Sequence, residues 1–350
     1  MFGGRSTEYE VSLCSAYSIL SNIDREKYDI MMLGITKDGK WRYYNGDIAS
    51  IKDNTWHKKD VLPAMLIPDA GSKKLLIKSG DGKYAESTDI DVIFPIMHGT
   101  HCEDGNLQGL FELCDIPYVG PGCLSSAVAM DKVFTKLILN NFDIPQAKFD
   151  YFTASQINSS ILECVKKAEE NFTYPIFVKP ANAGSSIGTG KADCRESLEK
   201  ALINAAKYDS KVIIEEYIKA KEIEVAVMGN DSIAVSKCGE IDPGSEYYDY
   251  DTKYINSTSS TKIPADIPDD IAEKVRALAG KIYTSLGCKG LSRVDFFVCD
   301  NGRIVFNEIN TLPGFTDISM YPKLFIHEGF SYSELIDKLI ELAIDSKTAD

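Results

Sequence analysis

The sequence lacks the features that mark membrane-embedded, secreted and nucleic-acid-binding proteins. No stretch approaches the roughly 20 apolar residues of a membrane span, and the N-terminus has no charged segment leading an apolar core. There is no basic run, and the formal charge of −14 argues against nucleic acid or an anionic membrane as a partner. The nine cysteines include no C-x-x-C pair, which argues against a disulfide framework or a zinc ribbon and indicates reduced thiols in the cytoplasm.

The sequence has the length and pattern of a multidomain α/β protein. Its 350 residues are enough for two or three domains with a large buried core. A Gly-Gly turn such as Gly3-Gly4 normally follows a parallel strand, and because only Met1 and Phe2 precede it we expect the first strand to be cut short. Apolar patterns predict strands over residues 28–35, 90–97 and 116–120, and helices over residues 11–20, 107–114, 130–140, 195–208, 269–286 and 333–344.

The stretch RVDFFVCDNGRIVFNEINTLPG, residues 293–314, carries the most informative pattern. Alternation places Arg293 and Asp295 on one face of a first strand, and Glu308 with Asn310 on one face of a second. The Asp-Asn-Gly turn between them predicts a hairpin in which two carboxylates and an amide converge beside a guanidinium. Such oxygen ligands suit Mg²⁺. A solvated surface hairpin is the alternative, but the apolar flanks instead predict a central place in a sheet.

Two further segments have the composition of a nucleotide site. YPIFVKPANAGSSIGTGK predicts a buried strand carrying Lys179, then a Gly- and Ser-rich loop that is not a Walker loop but can offer backbone N–H groups to phosphates. KVIIEEYIKAKEIEVAVMG predicts two strands joined by a link, with Glu215, Glu216 and Glu222 near the junction. In related ATP sites adenine and ribose lie against such a link. A solvated loop or hinge is the alternative for each segment alone.

Other candidates depend more on their surroundings. Lys132 and Lys136 lie one turn apart on a predicted helix, where a solvated face is the alternative. His98 ends a predicted strand ahead of an acidic turn, although a lone histidine is more often structural. Residues 238–262 are rich in Tyr, Asp, Ser and Gly and show neither a helical nor a strand period, which is typical of a lid.

The chain contains, in one order, the motifs GGRSTEYEVSL, HG with EDG, MDK, KPANAGSSIG, EEY, YYDYDTKY, SRVDFF and NEINTLPGFT. With these motifs it resembles, over essentially its whole length, the D-alanine–D-alanine ligases of the ATP-grasp superfamily, close to the vancomycin-resistance D-alanine–D-serine ligases. The resemblance implies a mixed α/β fold of the ATP-grasp type. It also implies an N-terminal Rossmann-like preATP-grasp domain over 1–125, a central subdomain over 126–218, and a C-terminal catalytic subdomain over 219–350 with the lid over 238–262.

The resemblance further implies a reaction. ATP phosphorylates the carboxylate of a first D-alanine, the amine of a second D-amino acid attacks the acyl phosphate, and the dipeptide serves peptidoglycan synthesis and cell-wall biogenesis. The implied cofactors are ATP and two Mg²⁺ ions, with Mn²⁺ as a substitute. The implied partners are small-molecule substrates and a second copy of the chain, since the family is often dimeric.

Each matched residue takes an implied role. The catalytic residues are Glu8, Ser185, Tyr254, Arg293 and Gly314. The substrate-binding residues are Glu8, Val11, His98, Arg293, Gly314, Ser319 and Met320. The ATP-binding residues are Lys132, Lys179, Ser186, Glu215, Tyr217, Ile218, Glu222 and Lys253. The metal ligands are Asp295, Glu308 and Asn310. Within this set Glu8 fixes the ammonium of the first D-alanine, Arg293 and the backbone at Gly314 form the oxyanion site, and Glu8, Ser185 and Tyr254 form a hydrogen-bonded group.

The sequence leaves alternatives open for the acceptor amino acid and for the class of reaction. D-alanine is expected because Met320 offers no strong donor to a serine hydroxyl, whereas D-serine enzymes tend to carry arginine there. GGRSTEYEVSL and LPGFT are closer to the D-serine group, so D-serine stays the alternative, and D-lactate is disfavoured. The family's TSHS run is Thr316-Asp317-Ile318-Ser319 here. Another ATP-grasp ligase for L-amino acids and a nucleotide-binding regulator are the remaining alternatives, and Arg293 favours an enzyme over a regulator.

Overall fold

The strands of this protein form three separate sheets. The computed structural model describes residues 1–184, 186–242 and 260–348, and the sheets there have six, four and five strands. Helices pack against them, so the predicted mixed α/β class is confirmed. The domain boundaries at 125 and 218 stay predictions.

The six-stranded sheet contains the N-terminus. Its strands, paired in chain order, are β1 (Phe2–Gly3), β2 (Met32–Ile35), β3 (Trp41–Tyr44), β4 (Val61–Leu66), β5 (Leu75–Lys78) and β6 (Tyr84–Glu86). β1 and β2 are parallel, whereas the later pairs are antiparallel. Parallel bridges Phe2–Ile96 and Ile93–Tyr118 continue the pattern beyond β1. Residues 90–97 and 116–120, which were predicted to be strands, form only isolated bridges, because each segment pairs with its neighbour at only one or two residues.

The four-stranded sheet has one face for helices and one for charges. Its strands are β7 (Phe149–Thr153), β8 (Ile176–Pro180), β9 (Gly190–Ala192) and β10 (Lys211–Glu216), in the order β7-β10-β8-β9. Val178, Val212 and Ile214 are fully buried in one apolar cluster. The alternate positions Lys179 and Glu215 fall on the other face, because successive side chains of a strand point to opposite sides.

The five-stranded sheet holds the predicted hairpin. Its strands are β11 (Lys221–Gly229), β12 (Ile233–Asp242), β13 (Ser260–Lys262), β14 (Gly290–Val298) and β15 (Ile304–Asn310), in the order β13-β12-β11-β14-β15. The hairpin was predicted to lie in the centre of its sheet, and this is wrong for β15. In the described part of the chain β15 is the edge strand of the sheet, and it makes one further bridge, Gln146–Phe306. The longer apolar strand β11 takes the centre. The lid was predicted over 238–262 without a strand period, and this is wrong at both ends: residues 238–242 belong to β12 and residues 260–262 form β13. Residues 243–259 lie outside the described part.

Ten α-helices cover the described part of the chain. They are α1 (Tyr9–Asn22), α2 (Ala49–Lys52), α3 (Asn106–Leu113), α4 (Cys123–Met130), α5 (Lys132–Leu139), α6 (Ala154–Asn171), α7 (Arg195–Ala205), α8 (Asp269–Ser285), α9 (Met320–His327) and α10 (Tyr332–Thr348). The predicted helix over 130–140 is wrong at its start. The side chain of Asp131 accepts hydrogen bonds from Val133 N and Phe134 N and begins α5 as its N-cap.

One apolar cluster joins the two ends of the chain. Phe2, Leu13 and Trp56 from the N-terminal part share it with Met320 and Leu339 of α9 and α10. The first turn of α1 is therefore held next to the segment that follows β15. In the described ranges, no helix is long and apolar enough to cross a membrane.

Candidate active site

The predicted pairing across the hairpin is present. Arg293 lies opposite Asn310, and Asp295 lies opposite Glu308, with a bulge directly after Asp295. On its other side Asp295 faces Glu224 of β11. The alternation predicted from the sequence therefore becomes a polar strip across three strands.

Arg293 is held by two carboxylates. Its Nε lies 3.0 Å from Glu224 Oε2, and its Nε and Nη2 donate to the two oxygens of Asp295 at 2.8 and 2.7 Å. Asn310 Nδ2 donates to Asp295 Oδ2 at 2.9 Å. Burial acts to lower the pKa of Arg293, but Asp295 and Glu224 outweigh it and raise the pKa well above its ordinary value. Arg293 is thus a fixed cation with a set orientation.

Lys132 connects Glu308 to the Gly- and Ser-rich loop. Lys132 Nζ lies 3.2 Å from Glu308 Oε2 and donates to Ala183 O at 2.9 Å. Lys132 therefore links the first turn of α5, the Gly- and Ser-rich loop and the metal-ligand candidate Glu308, and its role in binding phosphates stays a prediction.

A buried group of one carboxylate and two lysines lies on the four-stranded sheet. Glu215 Oε1 lies 2.6 Å from Lys136 Nζ, and Glu215 Oε2 lies 2.8 Å from Lys179 Nζ. Burial acts to raise the pKa of Glu215, but the two lysines outweigh it and lower the pKa to about 2. Lys179 also donates to Asn307 Oδ1 on β15 at 3.1 Å, which joins the two sheets.

The other predicted ATP-binding residues lie on β11 and on the segments that follow β8 and β10. Tyr217 and Ile218 follow β10, and Lys191 Nζ lies 5.0 Å from the centre of the Tyr217 ring. Glu222 lies on β11 opposite Phe297. Burial acts to lower the pKa of Lys179, but Glu215 outweighs it, with smaller contributions from Glu308 and Glu222, so the pKa is raised. Ser186, in the glycine-rich loop, has a positive φ of 58°.

Glu8 packs against two backbone segments of the site. A Cβ atom at Gly99 would lie 2.6 Å from Glu8 Oε2, and one at Gly184 would lie 2.7 Å from it. Glycine at both positions lets the carboxylate approach the His98 turn and the Gly- and Ser-rich loop together. Val11, one turn further along α1, is buried. Ser185, Lys253 and Tyr254 lie outside the described residues, so the predicted group of Glu8, Ser185 and Tyr254 stays a prediction.

The segment after β15 forms the predicted acceptor side. Ser319 Oγ accepts from Thr316 N at 3.0 Å and lies 2.9 Å from Thr316 Oγ1. Met320 is only 3% exposed and belongs to the shared apolar cluster. Its Sδ would lie 2.6 Å from a Cβ at Gly239 of β12. The side chain of Met320, the first residue of α9, is therefore packed against β12.

Two family models match the chain. One is described as "D-ala D-ala ligase N-terminus" and matches residues 1–121, and the other, "D-ala D-ala ligase C-terminus", matches residues 138–341. The chain belongs to the D-alanine–D-alanine ligase family. This membership confirms the resemblance inferred from the motifs, and the family is ATP-dependent.

Individual members of the family are similar over nearly the full chain. The D-alanine–D-alanine ligases of Acetivibrio thermocellus and Caldicellulosiruptor bescii are 50% and 49% identical, covering 98% and 99% of this chain and 94% of each relative. The solved VanG D-Ala:D-Ser ligase from Enterococcus faecalis is 40% identical, with a TM-score of 0.87, and the alignment covers 98% of this chain and 97% of that one. The ligase from Coxiella burnetii is 32% identical, with a TM-score of 0.83, covering 99% and 95%.

The sequence pattern did not single out several residues that the ligase fold brings to the site. They are Ser15, Glu224 and Asn307, together with Lys136 in its role as partner of Glu215. The alternation in KEIEV places Glu222 and Glu224 on one face of β11, so that signal was present for Glu224. Nothing local marks Asn307, because its contact with Lys179 depends on how two sheets meet.

The oxygen atoms of the hairpin fit Mg²⁺. In the described ranges, no three His, Cys, Asp or Glu side chains come together as a metal-binding group. The paired positions of β14 and β15 offer two carboxylates and one amide, from Asp295, Glu308 and Asn310. Mg²⁺ commonly uses one or two protein carboxylates and takes its other ligands from water and phosphates, so this donor set suits a metal that arrives with a nucleotide.

Proposed function

We propose that this chain is an ADP-forming ligase that joins two D-alanine molecules for peptidoglycan synthesis. The observation that carries the proposal is the partly buried Arg293, aligned by Glu224 and Asp295 beside the metal-ligand candidates. A cation held in this way can offset negative charge that develops only in the transition state. A protein that merely binds a nucleotide has no need of it.

Lysines from two elements bind the phosphates of ATP in this proposal. Lys132 and Lys179 approach from α5 and β8, while Glu215, Tyr217, Ile218 and Glu222 line the adenine and ribose side. Because phosphoryl transfer depends mainly on position and on neutralising charge, Lys179 fixed by Glu215 and Lys132 fixed by the Ala183 carbonyl suit the task. Ser186 and Lys253 complete the expected ATP-binding set.

Asp295, Glu308 and Asn310 would hold two Mg²⁺ ions, or Mn²⁺. Bound there, the ions would neutralise charge on the β- and γ-phosphates. Asp295 would keep one side toward Arg293, so that the same carboxylate orients the oxyanion cation. Glu308 would exchange its contact with Lys132 for one with the metal.

The two amino acids lie on either side of Arg293 in this proposal. Glu8 fixes the ammonium of the first D-alanine, with Val11 and His98 beside it. The backbone at Gly314 and the Arg293 guanidinium receive the oxyanion, and Ser319 contacts the acceptor. Ser185 and Tyr254 complete the catalytic set that the family resemblance implies.

The experiment measures ADP and phosphate release by the purified chain with ATP, Mg²⁺ and D-alanine, together with the mass of the product. We expect release that depends on D-alanine and a D-alanine–D-alanine product, whereas L-alanine gives neither. Release that requires an L-amino acid would assign a different ATP-grasp ligase. Nucleotide binding without release under any of these conditions would favour a regulator.

D-alanine–D-serine synthesis is the second candidate, and the similarity to the VanG ligase favours it. Met320 contributes an apolar thioether next to Gly239, which supports D-alanine because it offers no strong donor to a hydroxyl. In a competition of equal D-alanine, D-serine and D-lactate we expect D-alanine–D-alanine to dominate. A dominant D-alanine–D-serine product would reverse the assignment.

The proposal includes a cytoplasmic location and a homodimer. Nine scattered cysteines and the absence of a basic run support the location. Dimerisation through the N-terminal domain follows from the family resemblance, and sedimentation of the purified chain tests it. A monomer at micromolar concentration would remove this part alone.

A further inference from the structure

A buried serine connects the two substrate sides of the site. Ser15 of α1 is fully buried. Its Oγ accepts a hydrogen bond from Phe315 N at 3.1 Å and lies 3.3 Å from His98 Nε2. On the other side of its ring, His98 Nδ1 lies 2.9 Å from Leu312 O. These contacts return to the same short turn, Leu312-Pro313-Gly314-Phe315.

The direction of each hydrogen bond is fixed by its partners. Leu312 O is a carbonyl and can only accept, so Nδ1 of His98 carries a proton. Phe315 N can only donate, so Ser15 Oγ accepts there and has its own proton left for His98 Nε2. The circuit is complete only when His98 is neutral with its proton on Nδ1. In that state every buried donor and acceptor of the circuit is paired.

The charged groups around His98 are compatible with a neutral ring. Burial lowers the pKa of His98, while Glu8 acts to raise it and Arg293 to lower it. Glu103 Oε1 is 3.9 Å from Nδ1. Burial and then the charge of Glu8 raise the pKa of Glu103 to about 8, which favours the neutral form of this carboxyl.

We propose that Ser15 is a positioning residue, which uses His98 to fix the Leu312–Phe315 turn and thereby the backbone at Gly314. This rests on the proposed function, in which that backbone receives the oxyanion. Tyr332 donates to Phe315 O from the opposite side, so both polar groups of the Phe315 backbone are held. Because Ser15 lies two turns along the helix from Glu8, it sets the donor side and the oxyanion side in one geometry.

The first test needs no activity. Nitrogen chemical shifts of the histidine rings in the ¹⁵N-labelled full chain report the tautomer directly, and the chain has four histidines. His98→Asn identifies the signal of His98. We expect a neutral ring with its proton on Nδ1 at pH 7 in the wild type. A charged ring, or a proton on Nε2, would overturn the proposal.

The second test is kinetic. We expect Ser15→Ala to lower kcat by about 10-fold to 100-fold, since small displacements of an oxyanion donor have effects of this order, while KM for ATP changes less than about twofold. The matched control is Ser126→Ala, another fully buried helix serine, whose hydroxyl donates to Pro121 O away from the turn. Equal losses in the two variants would contradict a positioning role.

A double variant separates this role from general packing. His98→Asn keeps a donor near the Nδ1 position but has no atom for Ser15, so Ser15→Ala should cost little more in that background. Full additivity would contradict the circuit. If the wild-type chain released no ADP or phosphate in the presence of D-alanine, the proposed function would be contradicted, and the His98 tautomer would still test the circuit. If the chain were active but His98 had the wrong tautomer, only this inference would be contradicted.

Discussion

The two sheets that face the proposed ATP site hold their carboxylates in different ways. On the four-stranded sheet, Glu215 is paired with Lys136 and Lys179, and its side chain is 6% exposed. On the five-stranded sheet, Glu308 has an ion pair with Lys132 and is 27% exposed. Glu215 is therefore part of the internal structure, whereas Glu308 faces the open side.

Glu215 is thus a carboxylate with fixed partners, whereas Glu308 is a carboxylate that can exchange its partner. Removing Glu215 leaves two buried lysines without their carboxylate, which is costly because buried charges need partners. Removing Glu308 leaves Lys132, whose side chain is 14% exposed and which keeps its hydrogen bond to Ala183 O. We therefore expect the first change to act on stability and the second on catalysis.

The largest expected effect is the loss of turnover in Glu308→Gln. The substitution keeps the side-chain volume but removes a proposed metal charge, so kcat should fall by at least about 100-fold, in the range seen when a charge-stabilising group is removed. The melting temperature should stay close to that of the wild type. Glu273→Gln, an exposed acid of α8, is the matched control. Near-normal phosphate release by a folded Glu308→Gln protein would remove Glu308 from the site.

Glu215→Gln should act mainly on stability. A neutral amide cannot balance two buried ammonium groups, so we expect a loss of about 3 kcal/mol in the free energy of unfolding. Chemical denaturation of wild type and variant measures this difference. If the variant unfolds at the same denaturant concentration as the wild type, Glu215 is no more fixed than Glu308 and the distinction between the sheets fails.

The ion pairs of Glu215 with Lys136 and Lys179 also predict that the free energy of unfolding depends on pH. The folded pKa of Glu215 is lowered from 4.5 to about 2. Its contribution is therefore fully present above pH 4.5 and is lost as the pH falls toward 2. The stability difference between wild type and Glu215→Gln should shrink as the pH is lowered from about 6 to about 3. A difference that stays constant over this range would contradict the lowered pKa.

The smallest expected effect concerns the neighbouring carboxylate, Glu216. Arg303 Nη2 donates to it at 2.6 Å, but the two side chains are 45% and 33% exposed. Exposed ion pairs contribute little, so Arg303→Gln should change the free energy of unfolding by less than about 1 kcal/mol. A loss as large as that of Glu215→Gln would show that burial does not decide the strength of these pairs.

Local patterns predicted much of the fold and of the site. The hairpin pairing, α1, α3, α7, α8 and α10 follow from periods and turns that lie within a few residues of each other. The split between α4 and α5 also had a local signal, because Asp131 precedes the helix as a typical N-cap. The capping box of Thr153 and Gln156 marked the start of α6 in the same way, although no helix was predicted there.

The order of strands in a sheet could not be predicted in this way. β15 lies at one end of its sheet rather than in the centre, since β11 pairs with both β12 and β14. Which strand occupies the centre depends on contacts between distant segments, and the apolar residues of β15 fit either place. Similarly, Met320 was predicted only as a substrate contact, whereas the structure packs it against Gly239.

By itself the sequence determined the family and the residue types of the site, because its motifs and the alternation of its strands are local properties. Tertiary structure alone decided which partner each charge meets. Glu224 reaches Arg293 through the register of β11 and β14, and Lys179 reaches Asn307 where two sheets approach. The circuit through Ser15, His98 and the Leu312–Phe315 turn depends on three segments far apart in the chain. Such contacts are set by how helices and sheets pack, which no local pattern encodes.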